Sequence, residues 1–300
     1  MDLATLASCL SSSACVVTQA TGGLIIGMLL FLVAAGLTLI FGVLKVINFT
    51  HGSFYMLGAY FALTIFRFTE SYTLTILGAG LATAIVGVIF ERLFISRVYG
   101  QNVLMQLLVC YGFVLIFDDL VKIIWGPEFK SMGMPSTFQV PPLFIAGGVV
   151  PPFYLFVVGM AFVIGLALWL LIDRTRLGKT IRAAAINPSM VGALGINTGL
   201  LYGLVFGLGG LLAGFAGALA APVRSLTPGM GFSVLIESFI VTVIGGMGSI
   251  VGAFAASILV GLTRSFGSIG FPLFTDGAMF VFMALVLLIK PTGLFGRRPS

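Results

Sequence analysis

The run GGLIIGMLLFLVAAGLTLIFGVL, residues 22–44, decides the fold, because it carries no charge over a length that crosses a bilayer. A helix needs about 20 apolar residues to span ~30 Å of hydrocarbon. Over the 300 residues, hydrophobic residues make up 59% and charged residues 8%, against roughly 45–50% and 25% in soluble globular proteins. This composition excludes a soluble core and indicates a membrane protein.

Similar apolar runs recur along the chain, at residues 46–66, 71–90, 98–117, 153–172, 198–222, 232–263 and 273–289. The run 232–263 is long enough for two short spans that meet at the turn Gly245-Gly246-Met247-Gly248-Ser249. We therefore predict an all-α polytopic membrane protein with about eight transmembrane helices, including this glycine-broken pair. Residues 1–300 form a single domain, since no composition shift or linker divides them. No inverted repeat is evident.

Basic residues predict the orientation, because Lys and Arg in short loops concentrate on the cytoplasmic side. If residues 173–197 are cytoplasmic, ten of the 15 basic residues lie inside and five outside. The inside residues are Lys45, Arg92, Arg97, Arg174, Arg176, Lys179, Arg182, Lys290, Arg297 and Arg298. The outside residues are Arg67, Lys122, Lys130, Arg224 and Arg264. The N-terminus is then outside and the C-terminus cytoplasmic. No basic stripe alternates with exposed aromatic residues, so we expect no nucleic-acid partner.

Glycine recurs at helical spacing along one face of residues 202–221, at positions 203, 207, 210, 214 and 217. Small residues let membrane helices approach closely. The stripe therefore indicates packing inside the bundle or, alternatively, a subunit interface.

The largest charged loop, DRTRLGKTIRAAAINPSMVGALGIN (residues 173–197), predicts two short helices. Residues 177–185 favour a helix. Asn187 can then cap a second helix over residues 189–194, with Pro188 at its first position, where a missing amide donor costs little. Gly195 ends that helix.

The second short helix would place Met190, Val191 and Leu194 on one apolar face beside Lys179 and Arg182. Such a helix suits insertion into a groove of a soluble partner. The alternative is a helix that rests on lipid headgroups. The sharp caps favour docking on a partner, because a helix resting on lipid does not need them.

Polar residues inside the apolar runs are candidates for a translocation route, since they are costly in lipid. Asn48 and His51 either belong to such a route or serve as a helix cap and a hydrogen bond to a neighbouring carbonyl. Glu237 either contacts solute or pairs with Arg224 or Arg264. Gly245, Gly246 and Gly248 are further candidates, because a broken helix at membrane depth is tolerated only within protein or along a cavity.

No catalytic constellation is present. A single histidine, His51, excludes a triad and a multi-histidine metal site. Gly178-Lys179-Thr180 resembles the end of a phosphate-binding loop, but position 173 is Asp instead of the required glycine. We expect no cofactor, so that any ATP is bound by partner subunits. Cys9 and Cys15 could pair outside the cytoplasm, but three cysteines without a framework favour no structural disulfide.

The chain resembles the first-permease subunit of the branched-chain amino acid ABC importers over nearly its whole length. The matching motifs are GLTLIFG (36–42), INFTHG (47–52), MLGAY (56–60), RAAAINP (182–188), Gly195-Ile196, GGMGS (245–249) and KPTGLFG (290–296). Thr50 stands where the family often has Ala, and Ser53 where it often has Glu. The resemblance implies a coupling segment at residues 178–195, in agreement with the capped loop.

The resemblance implies a multi-pass permease of the bacterial inner membrane, with the N-terminus periplasmic. It also implies a second permease subunit, two cytoplasmic ATPase subunits and a periplasmic solute-binding protein. The proline-containing outer loop 118–152 either receives such a binding protein or is a simple cap over the bundle. The expected solutes are branched-chain or other hydrophobic amino acids. Alternatives are urea, short amides or aromatic acids. A stand-alone channel or secondary transporter is the rival class, and an intramembrane enzyme ranks last.

Overall fold

The computed structural model describes residues 3–270, 272 and 275–296 and is almost entirely helical. The helices are α1 (Leu3–Ser11), α2 (Ser13–Leu44), α3 (His51–Thr69), α4 (Tyr72–Leu93), α5 (Val103–Trp125), α6 (Pro152–Arg174), α7 (Arg176–Ile186), α8 (Pro188–Ala193), α9 (Thr198–Ala220), α10 (Met230–Gly245), α11 (Ile250–Gly270) and α12 (Thr275–Ile289). The strands are β1 (Leu143–Ile145) and β2 (Gly148–Val150). The predicted helical membrane fold is confirmed; Arg297 and Arg298 lie outside the described residues.

Within this described part, α2–α6 and α9–α12 run alternately between two ends of a bundle. Five of them are long and apolar enough to cross a membrane by length and composition: α2, α4 extended to Arg97, α6, α9 and α11. We call the end that carries α7 and α8 the segment end, and the end that carries β1 and β2 the hairpin end. The basic residues predicted to lie inside, from Lys45 to Lys290, occur at the segment end.

The hairpin end contains elements that the apolar pattern did not predict. β1 and β2 pair antiparallel through a two-residue turn, Ala146-Gly147, in which both residues have positive φ. Such turns match the twist of the flanking strands. The Ser13 hydroxyl donates to the Ala146 carbonyl at 3.0 Å, which ties the turn to the start of α2. Lys130 and Leu226 exchange backbone hydrogen bonds and join two further loops at this end.

Cys9 and Cys15 form a disulfide between α1 and the first turn of α2. The expectation of no structural disulfide was therefore wrong. The spacing of the cysteines in the sequence could not reveal that Ser12 ends one helix and caps the next. This turn places the Cα atoms of Cys9 and Cys15 5.2 Å apart. Cys110 is free and buried.

Glycine stripes hold the helices together. A Cβ on Gly207 would lie 2.8 Å from the Val88 side chain on α4. A Cβ on Gly210 would lie 2.9 Å from the Thr83 carbonyl on the same helix. The face of α9 predicted from its glycine spacing therefore packs inside the bundle. The same close approach occurs between α2 and α11, where a Cβ on Gly23 would meet Leu262 at 2.9 Å.

The helix contacts reveal two related units, α2–α4 and α9–α11. The first helix of each unit packs antiparallel on the third helix of the other, as α2 does on α11 and α9 on α4. The second helices meet each other where Gly52 on α3 approaches Gly231 on α10. Reciprocal contacts of this kind are typical of an inverted repeat. The sequence did not show this repeat, because the two units have the same order of helices and many small residues but little similarity in sequence.

Candidate functional site

The predicted coupling segment folds as its caps indicated. α7 ends at Ile186, and α8 begins at Pro188. Between them, the Asn187 amide donates to the Ala183 carbonyl at 3.0 Å, while its side chain accepts from the Met190 amide at 3.0 Å. One residue thus ends α7 and caps α8. Gly195 has φ +81°, a conformation that favours glycine, and it turns the chain towards α9.

The two short helices bury one side against the bundle and expose the other. Ile181, Ala184 and Val191 are buried, whereas Met190 is 63% and Leu194 73% exposed. The prediction that Val191 shares the outward apolar face was wrong, because its position on α8 points towards the bundle. Met190 and Leu194, one helical turn apart, remain as an exposed apolar pair.

The charges of the predicted coupling segment differ in their contacts. The Arg182 guanidinium donates to the Asp173 carboxylate at 2.8 Å, which ties α7 to the last turn of α6. Lys179 is exposed. A Cβ on Gly178 would collide with the Ile172 carbonyl, so glycine at this position lets α7 fold back against α6. The segment is therefore held firmly on the bundle, with Met190, Leu194 and Lys179 facing outwards.

The second group of candidate residues lies where α3 begins. The predicted span at residues 46–66 does not start as a helix: residues 46–50 are non-helical and α3 begins at His51. Asn48, Thr50 and His51 are fully buried. The Thr50 hydroxyl donates to the Cys110 carbonyl of α5 at 3.1 Å. Sequence spacing could not predict this contact, because it joins residues 60 positions apart.

His51 reaches the middle of α2, where its Nε2 lies 3.0 Å from the Val33 carbonyl. A Cβ on Gly36 would lie 2.9 Å from the same ring. This is the hydrogen bond to a neighbouring carbonyl that the structural interpretation predicted. Asn48 Oδ1 accepts from the Thr50 amide at 3.0 Å in the turn before α3. Among the described residues, Asn48 Nδ2, His51 Nδ1 and Ser53 Oγ are buried without a hydrogen-bond partner.

The start of α10 lies against the start of α3. A Cβ on Gly52 would collide with the Gly231 carbonyl, so the two helix starts touch through backbone. Further along α10, Glu237 is buried and pairs with Arg264 of α11. This confirms one of the two partners predicted for the carboxylate. Arg224, the other predicted partner, lies near the Tyr55 side chain.

The glycine turn between α10 and α11 lies at the segment end. α10 ends at Gly245, and Gly246 and Gly248 have φ +98° and +91°. A Cβ on Gly246 would lie 3.0 Å from the Thr292 carbonyl and collide with Gly296, so this turn packs against the chain after α12. Gly42 of α2 approaches Gly248 closely. The predicted meeting of two helices at this turn is confirmed, but the turn connects them at the segment end and does not break one helix at membrane depth. Gly245, Gly246 and Gly248 have a packing role, and their place in a route stays a prediction.

The fold and these sites define a multi-pass membrane protein with a two-helix platform at one end. The family profile of the branched-chain amino acid transport system permease component matches residues 19–290. The chain therefore belongs to this permease family.

Curated relatives match nearly the whole chain. The high-affinity branched-chain amino acid transport system permease protein BraD of Pseudomonas aeruginosa is 32% identical, over 93% of this chain and 95% of BraD. LivH of Escherichia coli, described in the same words, is 29% identical with the same coverage. A probable branched-chain amino acid transport permease protein LivH from Methanocaldococcus jannaschii is 29% identical, over 92% of this chain and 91% of that protein. No solved structure gives a significant match.

Proposed function

We propose that the chain is a permease subunit of an ATP-driven importer for branched-chain or other hydrophobic amino acids. The observation that carries this proposal is the two-helix platform at residues 176–193, whose helices are joined at Asn187 and tied to α6 by Arg182, with Met190 and Leu194 exposed. An exposed apolar pair on a rigid helix is suited to a groove in a partner. One of two ATPase subunits would bind there, and the second would bind the second permease subunit. The ATPase subunits would bind the ATP.

Charge and disulfide placement support the proposed orientation in the bacterial inner membrane. Basic residues at the segment end favour a cytoplasmic location of that end. The Cys9–Cys15 disulfide lies at the hairpin end, and disulfides persist in oxidising compartments such as the periplasm. The periplasmic solute-binding protein would then dock at the hairpin end, and a second permease subunit would pair with this chain within the membrane.

The buried groups at the starts of α3 and α10 support a place for the solute. Two helix starts meet inside the bundle at Gly52 and Gly231. The positive ends of helix dipoles favour a carboxylate, and every amino acid carries one. Asn48 and Ser53 bring buried polar groups without a partner among the described residues to the same region. Because side-chain recognition is left to the binding protein in this proposal, urea, short amides and aromatic acids remain alternative solutes.

Reconstitution tests the proposal. The chain is reconstituted in liposomes with the second permease and the ATPase subunits that co-purify with it. Uptake of radiolabelled leucine is then measured with a periplasmic binding protein outside and ATP inside. We expect uptake that requires both ATP and the binding protein. Uptake of urea or benzoate in preference to leucine would show that the importer carries that solute instead of branched-chain amino acids. Absence of any ATP-dependent uptake, with all subunits present, would refute the importer.

A secondary transporter is the second candidate, because the reciprocal units α2–α4 and α9–α11 resemble the inverted repeats on which such transporters are built. Liposomes that contain this chain alone distinguish the two functions. Uptake driven by an ion gradient, without ATPase subunits, would favour the secondary transporter.

A further inference from the structure

A buried carboxylate lies at the segment end outside both groups of candidate residues. Glu91, in the last turn of α4, is only 1% exposed. Its Oε1 accepts a hydrogen bond from the Tyr99 hydroxyl at 2.7 Å. Tyr99 belongs to the connection, residues 94–102, that joins α4 to α5. A buried carboxylate needs such a donor, since burying a charge without a partner is costly. The pair therefore ties the connection to α4.

The same tyrosine contacts α9. Its ring meets the Tyr202 ring edge-on, with the ring centroids 5.4 Å apart and an interplanar angle of 72°. A Cβ on Gly203 would lie 3.3 Å from Glu91 Oε2, so glycine at this position lets α9 approach the carboxylate. Edge-to-face aromatic pairs have a preferred geometry. A shift of the first turn of α9 would therefore move Tyr99.

The connection is also fixed to α5. The Gln106 side chain, in the first turns of α5, donates from Nε2 to the carbonyls of Val98 and Gln101 at 3.1 and 3.2 Å. Its side chain is largely buried. The residues on either side of Tyr99 thus move with the start of α5.

The predicted coupling segment leads directly into α9. The Ile196 amide donates to the Val191 carbonyl of α8 at 3.4 Å, and Asn197 caps α9 by accepting from the Leu200 amide at 3.0 Å. Tyr202 lies about one helical turn after that cap. A displacement of α8 therefore reaches Tyr202 through a short, hydrogen-bonded path.

The helix at the far end of this path is α5. Its Phe113 ring packs on the Phe94 ring of the connection, with the ring centroids 4.2 Å apart, so α5 and the connection shift together. The first turns of α5 and Phe49, the residue before Thr50, border an open apolar cavity of about 540 Å³. A shift of α5 would therefore change the shape of this cavity.

We propose that Glu91, Tyr99 and Tyr202 form a positioning link that transmits movement of the predicted coupling segment to α5. The inference rests on the proposed function, because it assumes that an ATPase moves α8. Burial raises the pKa of the Tyr99 phenol, and its hydrogen bond to Glu91 raises it further. The phenol therefore stays protonated and remains a donor to Glu91 at every pH at which the transporter works.

The variant Tyr99→Phe tests the link, because it deletes one hydroxyl and keeps the ring. In the reconstituted complex we expect ATP hydrolysis within about twofold of the wild type and solute uptake lowered roughly tenfold, since a hydrogen bond to a charged group contributes on this scale. Because hydrolysis is nearly unchanged while uptake falls, the number of ATP molecules hydrolysed per solute molecule transported rises. In the chain that keeps Tyr99, Glu91→Gln preserves an acceptor for its hydroxyl and should retain most uptake, whereas Glu91→Leu should lose it as Tyr99→Phe does. Tyr154→Phe, at the hairpin end of α6, is the matched control.

A distance measurement separates transmission from simple structural support. Cysteines are introduced at two exposed positions, by Ser189→Cys on α8 and Leu108→Cys on α5, and are labelled with nitroxides. Electron double resonance then measures the distance between the two labels. We expect ATP to change this distance in the otherwise wild-type complex and to leave it unchanged with Tyr99→Phe. An equal change in both, an unaltered ATP-to-solute ratio, or an equal loss of hydrolysis and uptake would each overturn the link. Absence of ATP-dependent uptake in the wild-type complex would instead refute the proposed function.

Discussion

Glu237 on α10 and Arg264 on α11 form an ion pair inside the bundle, and the glutamate side chain is only 9% exposed. The pair joins two helices that the glycine turn at residues 246–249 connects at their other ends. The second carboxylate oxygen, Oε2, has no hydrogen-bond partner among the described residues. Structural pairing thus accounts for one oxygen of Glu237, whereas the other is buried.

Removing one member of this ion pair should destabilise the protein. Glu237→Gln leaves the partly buried Arg264 guanidinium, 27% exposed, without its counter-ion. Breaking a fully buried pair costs about 3–5 kcal/mol, so we expect a loss below that range. We expect a lower midpoint of thermal unfolding in detergent micelles, measured with a thiol-reactive dye. The double variant Glu237→Gln with Arg264→Met should recover most of the loss, because no unpaired charge remains. Equal midpoints for the wild type and Glu237→Gln would show that the pair does not stabilise the bundle.

The exposed pair on α8 should carry the contact with the ATPase. Met190→Glu or Leu194→Glu places a charge where an apolar side chain would be buried, which should weaken association by about 2–4 kcal/mol, the range of interface hot spots. The amount of ATPase that co-purifies with the tagged permease measures this association. Ile289→Glu, an equally drastic change at another exposed position of the segment end, is the control. The coupling role is contradicted if the α8 variants retain the ATPase as Ile289→Glu does.

Labelling in spheroplasts tests which end faces the cytoplasm. Phe144→Cys, on β1, is at an exposed position of the hairpin end, and Met190→Cys is exposed at the segment end. A membrane-impermeant maleimide should label Phe144→Cys in intact spheroplasts and Met190→Cys only after permeabilisation. The parent protein should stay unlabelled, since Cys110 is buried and the other two cysteines are joined. The opposite pattern would reverse the orientation and remove the predicted coupling segment from any cytoplasmic ATPase.

Local signals predicted most of the fold. Apolar runs located the long helices, and Asn187, Pro188 and Gly195 located α8 almost to the residue, because caps act within one helical turn. The beginning of α3 was missed, since residues 46–50 are apolar enough for a span but are held non-helical by contacts to other helices. The end of α5 was placed too early at residue 117, because Asp118 and Asp119 were interpreted as loop residues.

The candidate site was less accessible to sequence reasoning. Spacing within α8 could not decide which of Met190, Val191 and Leu194 faces the bundle, since that depends on how α7 folds back on α6. The Glu91–Tyr99 hydrogen bond joins a helix end to a loop, a contact that no helical period marks. Arg264 could be predicted as a partner of Glu237 because few charged residues lie near the apolar runs, which leaves few possible partners for a buried carboxylate. This scarcity of charge predicted a contact between residues that are distant in the sequence.

Close backbone contact, rather than glycine content, should determine which glycines are essential. A Cβ on Gly217 would collide with the Tyr55 carbonyl and lie 2.7 Å from the Ala59 amide nitrogen, so α9 and α3 must separate to admit it. Overpacking of this kind costs about 1–3 kcal/mol.

Gly217→Ala should therefore lower the unfolding midpoint and the yield of monodisperse protein. Gly112→Ala is the matched control, since a Cβ there meets nothing within 4 Å. Alanine should even stabilise α5 by about 0.5–1 kcal/mol, because glycine is the poorer helix former. Equal behaviour of the two variants would mean that the contact between α3 and α9 yields at little cost, and the packing role assigned to the α9 stripe would then fail.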